Sequence, residues 1–180
     1  MTQDRHKAPN DQEALPATID IQFQQAVALH QQGRLVDAEP IYRRVLQQQP
    51  NQPGALHLLG ALAVQTGHSE RGADLIQKAI ALNANVPAAH NNLGKALLDI
   101  GRPEDAMACF ERAISLDPTV SETQNNRAAA LYRLHRYEES VASCDAAIAL
   151  NPQNAEAYDN RGRALGALNL HQEALASHNR

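Results

Sequence analysis

The sequence predicts an all-α solenoid of antiparallel helix pairs, and three observations support that fold class. First, apolar residues in the stretch 87–120 recur at the three- and four-residue spacing of amphipathic helices. Second, Gly101 separates two such helices and Pro118 ends the second. Third, the unit repeats every 34 residues without insertion, so that Gly33 and Gly67 align with Gly101. A fixed period of this length is typical of repeat architectures.

The period divides the chain into a polar lead and five helix-pair units. Residues 1–18 lack a regular apolar pattern, and we expect a disordered N-terminal lead there. The units are 19–52, 53–86, 87–120, 121–154 and 155–180. The fifth unit is incomplete, and no polar closing helix follows to cover its apolar residues. We therefore expect the chain to be cut from a longer protein, with an end that frays or self-associates.

Small residues occupy two fixed places in every unit, one in each helix. They are Ala26, Gly60, Gly94, Ala128 and Gly162 in the first helices, and Ala38, Gly72, Ala106, Ser140 and Ala174 in the second. Small side chains let paired helices approach closely, so we expect these residues to lie at the contact between the two helices of each unit.

Several residues depart from the pattern. His135 replaces the turn glycine of the fourth unit, where we expect a left-handed backbone. Pro40 falls inside the second helix of the first unit, which we expect to start late or to bend. Arg127 and Arg161 replace a leucine. We expect their stems to cover apolar surface while their heads reach water or a carboxylate.

Composition and charge exclude several classes of function. The 180-residue chain has a net charge of −4 and a pI near 6.0, with no basic stripe. Because phosphate binding needs concentrated lysine and arginine, we expect no nucleic-acid partner. No apolar run is long enough for a secretory signal or a bilayer span, so we expect a cytoplasmic protein without a membrane partner. The two cysteines, Cys109 and Cys144, are expected to be buried free thiols.

No sequence signature of catalysis occurs. Patterns typical of hydrolases, dinucleotide sites, phosphate loops and zinc proteases are missing, and the chain is predicted not to be an enzyme. His57 and His90 lie in successive first helices without a cysteine or carboxylate cluster beside them. We therefore expect neither a metal site nor a cofactor.

Leu93, Gly94, Ala106, Phe110 and Pro118 resemble the signature of the tetratricopeptide repeat. The resemblance extends over all five units. It implies a right-handed solenoid whose concave side is lined by the first helices and binds a protein or peptide partner.

The second, fifth, sixth, ninth and thirteenth places of each unit are expected to face the concave groove. The candidate partner-binding residues are Asn91, Asn92, Lys95, Asp99, Asn125, Asn126, Arg133, Asp159, Asn160 and Arg163. Asparagine recurs at the sixth place of the last three units. These amides are predicted either to bind the backbone of an extended peptide or to bond to neighbouring helices.

Two functions follow, and the residues do not separate them fully. The first, which we favour, is a free-standing interaction scaffold. The second comes from a resemblance between the asparagine ladder and the repeat arm of O-linked N-acetylglucosamine transferases. It implies that the chain is the substrate-recruiting arm of a larger glycosyltransferase whose catalytic domain lies beyond residue 180.

Overall fold

The computed structural model describes residues 15–180, with side chains described from residue 19. In this range the chain forms α-helices and no strands. The helices are α1 Leu15–Gln31, α2 Leu35–Gln48, α3 Pro53–Gln65, α4 Ser69–Leu82, α5 Pro87–Asp99, α6 Pro103–Leu116, α7 Ser121–Arg133, α8 Tyr137–Leu150, α9 Ala155–Ala167 and α10 His171–His178. The prediction of an all-α fold built from helix pairs is confirmed.

Helix starts follow the sequence period. Helices α3, α5, α7 and α9 begin at residues 53, 87, 121 and 155, where the second to fifth units begin. Helix α1 begins at Leu15 rather than at residue 19, and residues 1–14 of the predicted lead lie outside the described residues. We call the five helix pairs repeats 1 to 5, in chain order.

Pro40 does not delay the helix that contains it. Helix α2 begins at Leu35, the place that Ser69 holds in α4, and it continues through Pro40 to Gln48. The expectation of a late start was therefore wrong. Proline removes one backbone donor, and Tyr42 and Val45, both fully buried, anchor the same helix in the core.

A left-handed residue joins the two helices of every repeat. Gly33, Gly67 and Gly101 have φ angles of 73°, 81° and 77°. His135 and Asn169 hold the same place in repeats 4 and 5, with φ angles of 59° and 63°. The expectation for His135 is confirmed. The turn keeps its geometry even where a side chain makes the left-handed region less favourable.

The first helix of each repeat lies on the inner side of the stack. Within residues 15–180, α1, α3, α5, α7 and α9 each contact the next first helix, whereas the second helices contact only first helices. Elements that contact both within and between repeats lie on the tighter side of a curved solenoid. The predicted groove residues all belong to these first helices. We call the side of the stack that the first helices form the inner face.

Small residues bring the paired helices into contact, as predicted. A Cβ atom added at Gly60 would lie 2.9 Å from the carbonyl oxygen of Gly72, and one added at Gly72 would lie 2.8 Å from that of Gly60. A Cβ at Gly94 would clash with the Phe110 ring. In repeat 4, the Ser140 hydroxyl donates to the Ala128 carbonyl at 2.8 Å. These contacts fix how far apart the two helices stand.

Apolar burial continues across the boundaries between repeats. One cluster joins Ile76 of repeat 2, Phe110 of repeat 3 and Leu131 of repeat 4, all fully buried. A second cluster joins Tyr42 of repeat 1 to Leu62 of repeat 2. Between residues 15 and 180, no helix combines the length and the hydropathy needed to cross a membrane.

Candidate partner-binding groove

Side-chain amides link neighbouring first helices along the inner face. Asn126 Nδ2 donates to Asn91 Oδ1 at 2.9 Å, and Asn160 Nδ2 donates to Asn125 Oδ1 at 2.9 Å. Each bond joins the sixth place of one repeat to the fifth place of the repeat before it. The structure therefore uses the predicted asparagines to hold successive repeats together.

The same link in the earlier repeats uses a histidine. Asn92 Nδ2 lies 3.0 Å from His57 Nε2, which can accept a hydrogen bond when the ring is neutral. Burial lowers the pKa of His57, and the nearby charge of His30 lowers it further. The neutral ring that this link needs is thus the form that the site favours near pH 7.

The ladder amides differ in how much of them reaches solvent. Asn91, Asn125 and Asn160 are 7%, 1% and 9% exposed, whereas Asn92 and Asn126 are half-buried. Of the two predicted roles, bonding to neighbouring helices is therefore the one that these side chains show. Asn92 and Asn126 also remain partly exposed to solvent.

Cationic side chains at the ninth and thirteenth places also contact neighbouring first helices. Lys95 Nζ forms an ion pair with Glu122 Oε1 at 3.2 Å across two repeats. Arg133 donates to the carbonyl of Leu98, one repeat away. The guanidinium of Arg163 lies 4.7 Å from the centroid of the Tyr132 ring, a cation–π distance. These predicted groove residues therefore also bridge adjacent first helices.

The carboxylates of the predicted site have separate partners. Asp99 accepts from the Ser69 hydroxyl at 2.8 Å, near the turn of repeat 2. Asp159 lies 3.3 Å from His178 Nδ1, at the far end of the stack. The two carboxylates are not brought together, and residues 15–180 contain no group of three or more histidine, cysteine or acidic side chains positioned to hold a metal.

Arg127 and Arg161 bind a serine that the sequence analysis did not pair with them. Arg127 Nη1 donates to Ser143 Oγ at 2.6 Å, and Arg161 Nη1 donates to Ser177 Oγ at 2.7 Å. Both serines are 2% exposed. Arg161 also reaches Asp145, the expected carboxylate contact. The signal was present, because arginine and serine both recur 34 residues apart.

The cysteines are separate free thiols. Cys144 is buried, as expected, and Cys109 is only half-buried. Burial raises the pKa of Cys109 to about 11 and that of Cys144 to about 12. Both thiols therefore stay protonated and weakly reactive near neutral pH.

A stack of helix pairs with a polar inner face defines a helical-repeat scaffold for protein interaction. Comparison with known families agrees with this class. Three models described as tetratricopeptide repeat match residues 29–96, 87–120 and 121–154. The chain belongs to the tetratricopeptide repeat family. No curated protein gives a significant match.

Solved structures share the fold at low sequence identity. A crystal structure of MamA is 21% identical with a TM-score of 0.74, covering 86% of this chain and 90% of that one. YrrB, described as a TPR protein with an unusual peptide-binding site, is 20% identical with a TM-score of 0.72, covering 92% and 89%. TTC0263, a thermophilic TPR protein of Thermus thermophilus, is 19% identical with a TM-score of 0.74, covering 88% and 87%. At these identities the likeness establishes the fold alone.

Proposed function

We propose that this chain is an interaction scaffold that binds an extended segment of a partner protein along its inner face. The observation that carries the proposal is the ladder of inner-face amides, in which Asn92 and Asn126 are held by their neighbours while staying partly exposed. An amide offers both donors and an acceptor, which suits a peptide backbone of any sequence.

The spacing of the repeats favours an extended ligand. Adjacent packed helices lie roughly 8–10 Å apart. An extended chain advances about 3.3 Å per residue. A bound segment would therefore meet the equivalent place of successive repeats about every third residue.

The links within the scaffold support binding because they order the groove in advance. The ladder bonds and the stacking of Arg163 on Tyr132 fix inner-face side chains without a ligand. Fewer side chains then need to lose rotamer freedom when a partner binds. The mixture of charges suits a polar protein segment better than a polyanion.

The description of YrrB as a protein with a peptide-binding site agrees with this proposal. The alternative of a glycosyltransferase arm finds no support in these comparisons.

A bulky side chain placed in the groove tests the proposal. Ala88 is exposed at the second place of repeat 3, on the inner helix, and Ala108 is exposed on the outer helix of the same repeat. Peptides selected from a random library of about 12 residues on the parent chain would be titrated by fluorescence polarisation. We expect Ala88→Trp to weaken binding by about tenfold or more, and Ala108→Trp to change it by less than about twofold.

The two variants share a substitution and a helical setting, so a general loss of stability would affect both. Equal affinity of the parent and Ala88→Trp for every selected peptide would overturn the inner-face proposal. A selective loss in Ala108→Trp would move the site to the outer face.

A further inference from the structure

Two clefts open at equivalent points, one repeat apart, where the starts of two successive first helices meet the end of the second helix between them. The first cleft, about 300 Å³, lies between repeats 2 and 3 and the second, about 500 Å³, between repeats 3 and 4. The first cleft is lined by, among others, Gly54, His57, Asn83, Val86 and Ala89. Their counterparts in the second, each 34 residues later, are Ala88, Asn91, Asp117, Val120 and Thr123.

The two clefts use equivalent backbone positions but differ in the chemistry of their side chains. No charged carboxylate or cation lines the first cleft, whose walls are mostly proline, glycine, alanine and valine. Its polar residues are Asn83 and His57, and burial lowers the pKa of His57. The second cleft is lined by two carboxylates, Asp117 and Glu122, and by no cation. Lys95 approaches from outside to pair with Glu122, and both side chains are about half-exposed. Such an exposed pair exchanges partners easily.

Two buried polar groups of the second cleft point to a ligand there. Thr123 is only 3% exposed and its hydroxyl makes no hydrogen bond within residues 15–180. Asn91 is 7% exposed, and although its Oδ1 accepts from Asn126, its Nδ2 donates to none of the described residues. Neither atom is fully enclosed, since the one fully buried side-chain atom without a partner among the described residues is Gln22 Oε1. Both atoms therefore keep a small solvent-accessible surface, and this cleft has capacity for an added donor and an added acceptor.

The corresponding point between repeats 4 and 5 is bridged by the chain itself. Asn154 replaces the valine found at Val86 and Val120, and its Nδ2 donates to Ser121 Oγ at 2.9 Å. Ser121 in turn donates to the Ala147 carbonyl at 2.8 Å. Side chains of the chain itself therefore join at the point that stays open between repeats 2 and 3 and between repeats 3 and 4.

We propose that the two clefts select two side chains of one bound segment, an aliphatic residue in the first cleft and a lysine or arginine in the second. This rests on the proposed function and specifies the partner. The carboxylates of Asp117 and Glu122 complement a cationic head group, and the spare donor of Asn91 suits a peptide carbonyl. With roughly 8–10 Å between helices and about 3.3 Å per residue, the two selected residues stand about three positions apart.

Asn83→Asp tests the assignment by giving the first cleft the acid of the second. The change preserves local structure, because Asn83 Oδ1 accepts from the Asn85 amide at 3.1 Å just as Asp117 Oδ1 accepts from the Thr119 amide at 3.0 Å. The matched control is Asn151→Asp at the bridged boundary, where Asn151 accepts from the Gln153 amide at 3.1 Å. The same random peptide libraries would be selected on the parent and on both variants.

On the parent and the Asn151→Asp control, we expect selected peptides to share an aliphatic residue and a basic residue about three positions apart, in one of the two orders. On Asn83→Asp, a basic residue should replace the aliphatic one. Enrichment of the same motif on Asn83→Asp as on the parent would overturn the assignment of the first cleft.

Charge reversal tests the second cleft by affinity. For a selected basic peptide, Glu122→Lys should raise Kd by about fivefold or more, since it replaces attraction by repulsion. Glu104→Lys, on the exposed surface of the outer helix α6, makes the same change in net charge and should leave Kd within about twofold.

The outcomes separate this inference from the proposed function. Peptides that lose affinity for Ala88→Trp yet carry no aliphatic or basic preference would refute the side-chain assignment while the groove stands. Peptides insensitive to both Ala88→Trp and Glu122→Lys would refute the groove and this inference together.

Discussion

Repeats 2 and 4 have the same backbone arrangement but different side chains at equivalent places. Repeat 2 crosses its helices at Gly60 and Gly72, whereas repeat 4 does so at Ala128 and Ser140 with a hydrogen bond between them. The Leu59 place of repeat 2 is taken by Arg127, which binds a buried serine.

The same contrast extends to the turn and to the ladder. Gly67 and His135 share a left-handed conformation at the turn. His57 and Asn125 share a place in the ladder and both pair with an asparagine of the next repeat. The difference teaches that the period fixes where groups meet, and that burial is satisfied either by apolar contact or by a matched polar pair.

We expect the largest effect from disrupting the close approach of α3 and α4 at Gly60 and Gly72. A Cβ at residue 60 would lie 2.6 Å from Ile76 Cγ1 and 2.9 Å from a backbone oxygen, so Gly60→Ala must separate the helices. We expect the free energy of unfolding in urea to fall by about 2–3 kcal/mol. Gly166→Ala, whose Cβ meets nothing within 4 Å, should instead raise it by about 0.5–1 kcal/mol. Equal gains in both variants would show that the crossing tolerates a methyl group.

The next effect breaks the polar pair of repeat 4. Arg127→Leu copies the leucine of repeat 2 but leaves the Ser143 hydroxyl buried without its partner, so we expect a loss of about 1–2 kcal/mol. Adding Ser143→Cys reproduces the Leu93 and Cys109 combination of repeat 3 and should recover at least half of that loss. A double-mutant cycle measures the coupling. Independent, additive effects would mean that the pair is not a unit.

We expect a smaller effect on stability from replacing His135, which has a left-handed backbone conformation. His135→Gly should raise the free energy of unfolding by about 0.5–1 kcal/mol, because glycine adopts positive φ without a steric cost. The reverse change, Gly67→His, should lower it by a similar amount, since a Cβ there meets nothing within 4 Å and only the backbone is strained. A lower melting temperature for His135→Gly than for the parent would show that the His135 contact with Tyr137 outweighs the backbone strain.

The smallest effect concerns pH. Burial lowers the pKa values of both His57 and His30, so the unfolded chain binds protons more readily than the folded one below about pH 6.5. Stability should therefore fall as the pH drops from about 7.5 to about 5.5. His57→Asn places the ladder residue of repeat 4 in repeat 2 and should reduce this fall, leaving the part due to His30. If the urea midpoint shifts between the two pH values as much in His57→Asn as in the parent, titration of His57 is ruled out as a cause.

Much of the fold could be predicted because the period carries it. Glycines at the turns and small residues at the crossings recur at one spacing, and the helix starts at Pro53, Pro87 and Ser121 follow that spacing. The start of α1 at Leu15 could not be predicted from the period, because the first repeat has no preceding unit to set its boundary.

The candidate site was harder to predict, because one asparagine can serve the scaffold or a ligand. Sequence spacing placed Asn126 on the inner face, but its bond to Asn91 depends on how neighbouring helices are staggered. The pairing of Arg127 with Ser143 likewise depends on two side chains meeting across a helix pair. Such contacts require three-dimensional geometry that periodicity does not contain.

Mapping a bound peptide by backbone amide chemical shifts on the labelled chain tests the central claim most directly. With a peptide selected on the parent, we expect the largest changes at inner-face residues of repeats 2 to 4, among them Ala88, Asn92, Lys95 and Asn126. Residues facing outward on α4, α6 and α8 should move little. Changes concentrated on those outer helices, with the inner face unaffected, would contradict the account.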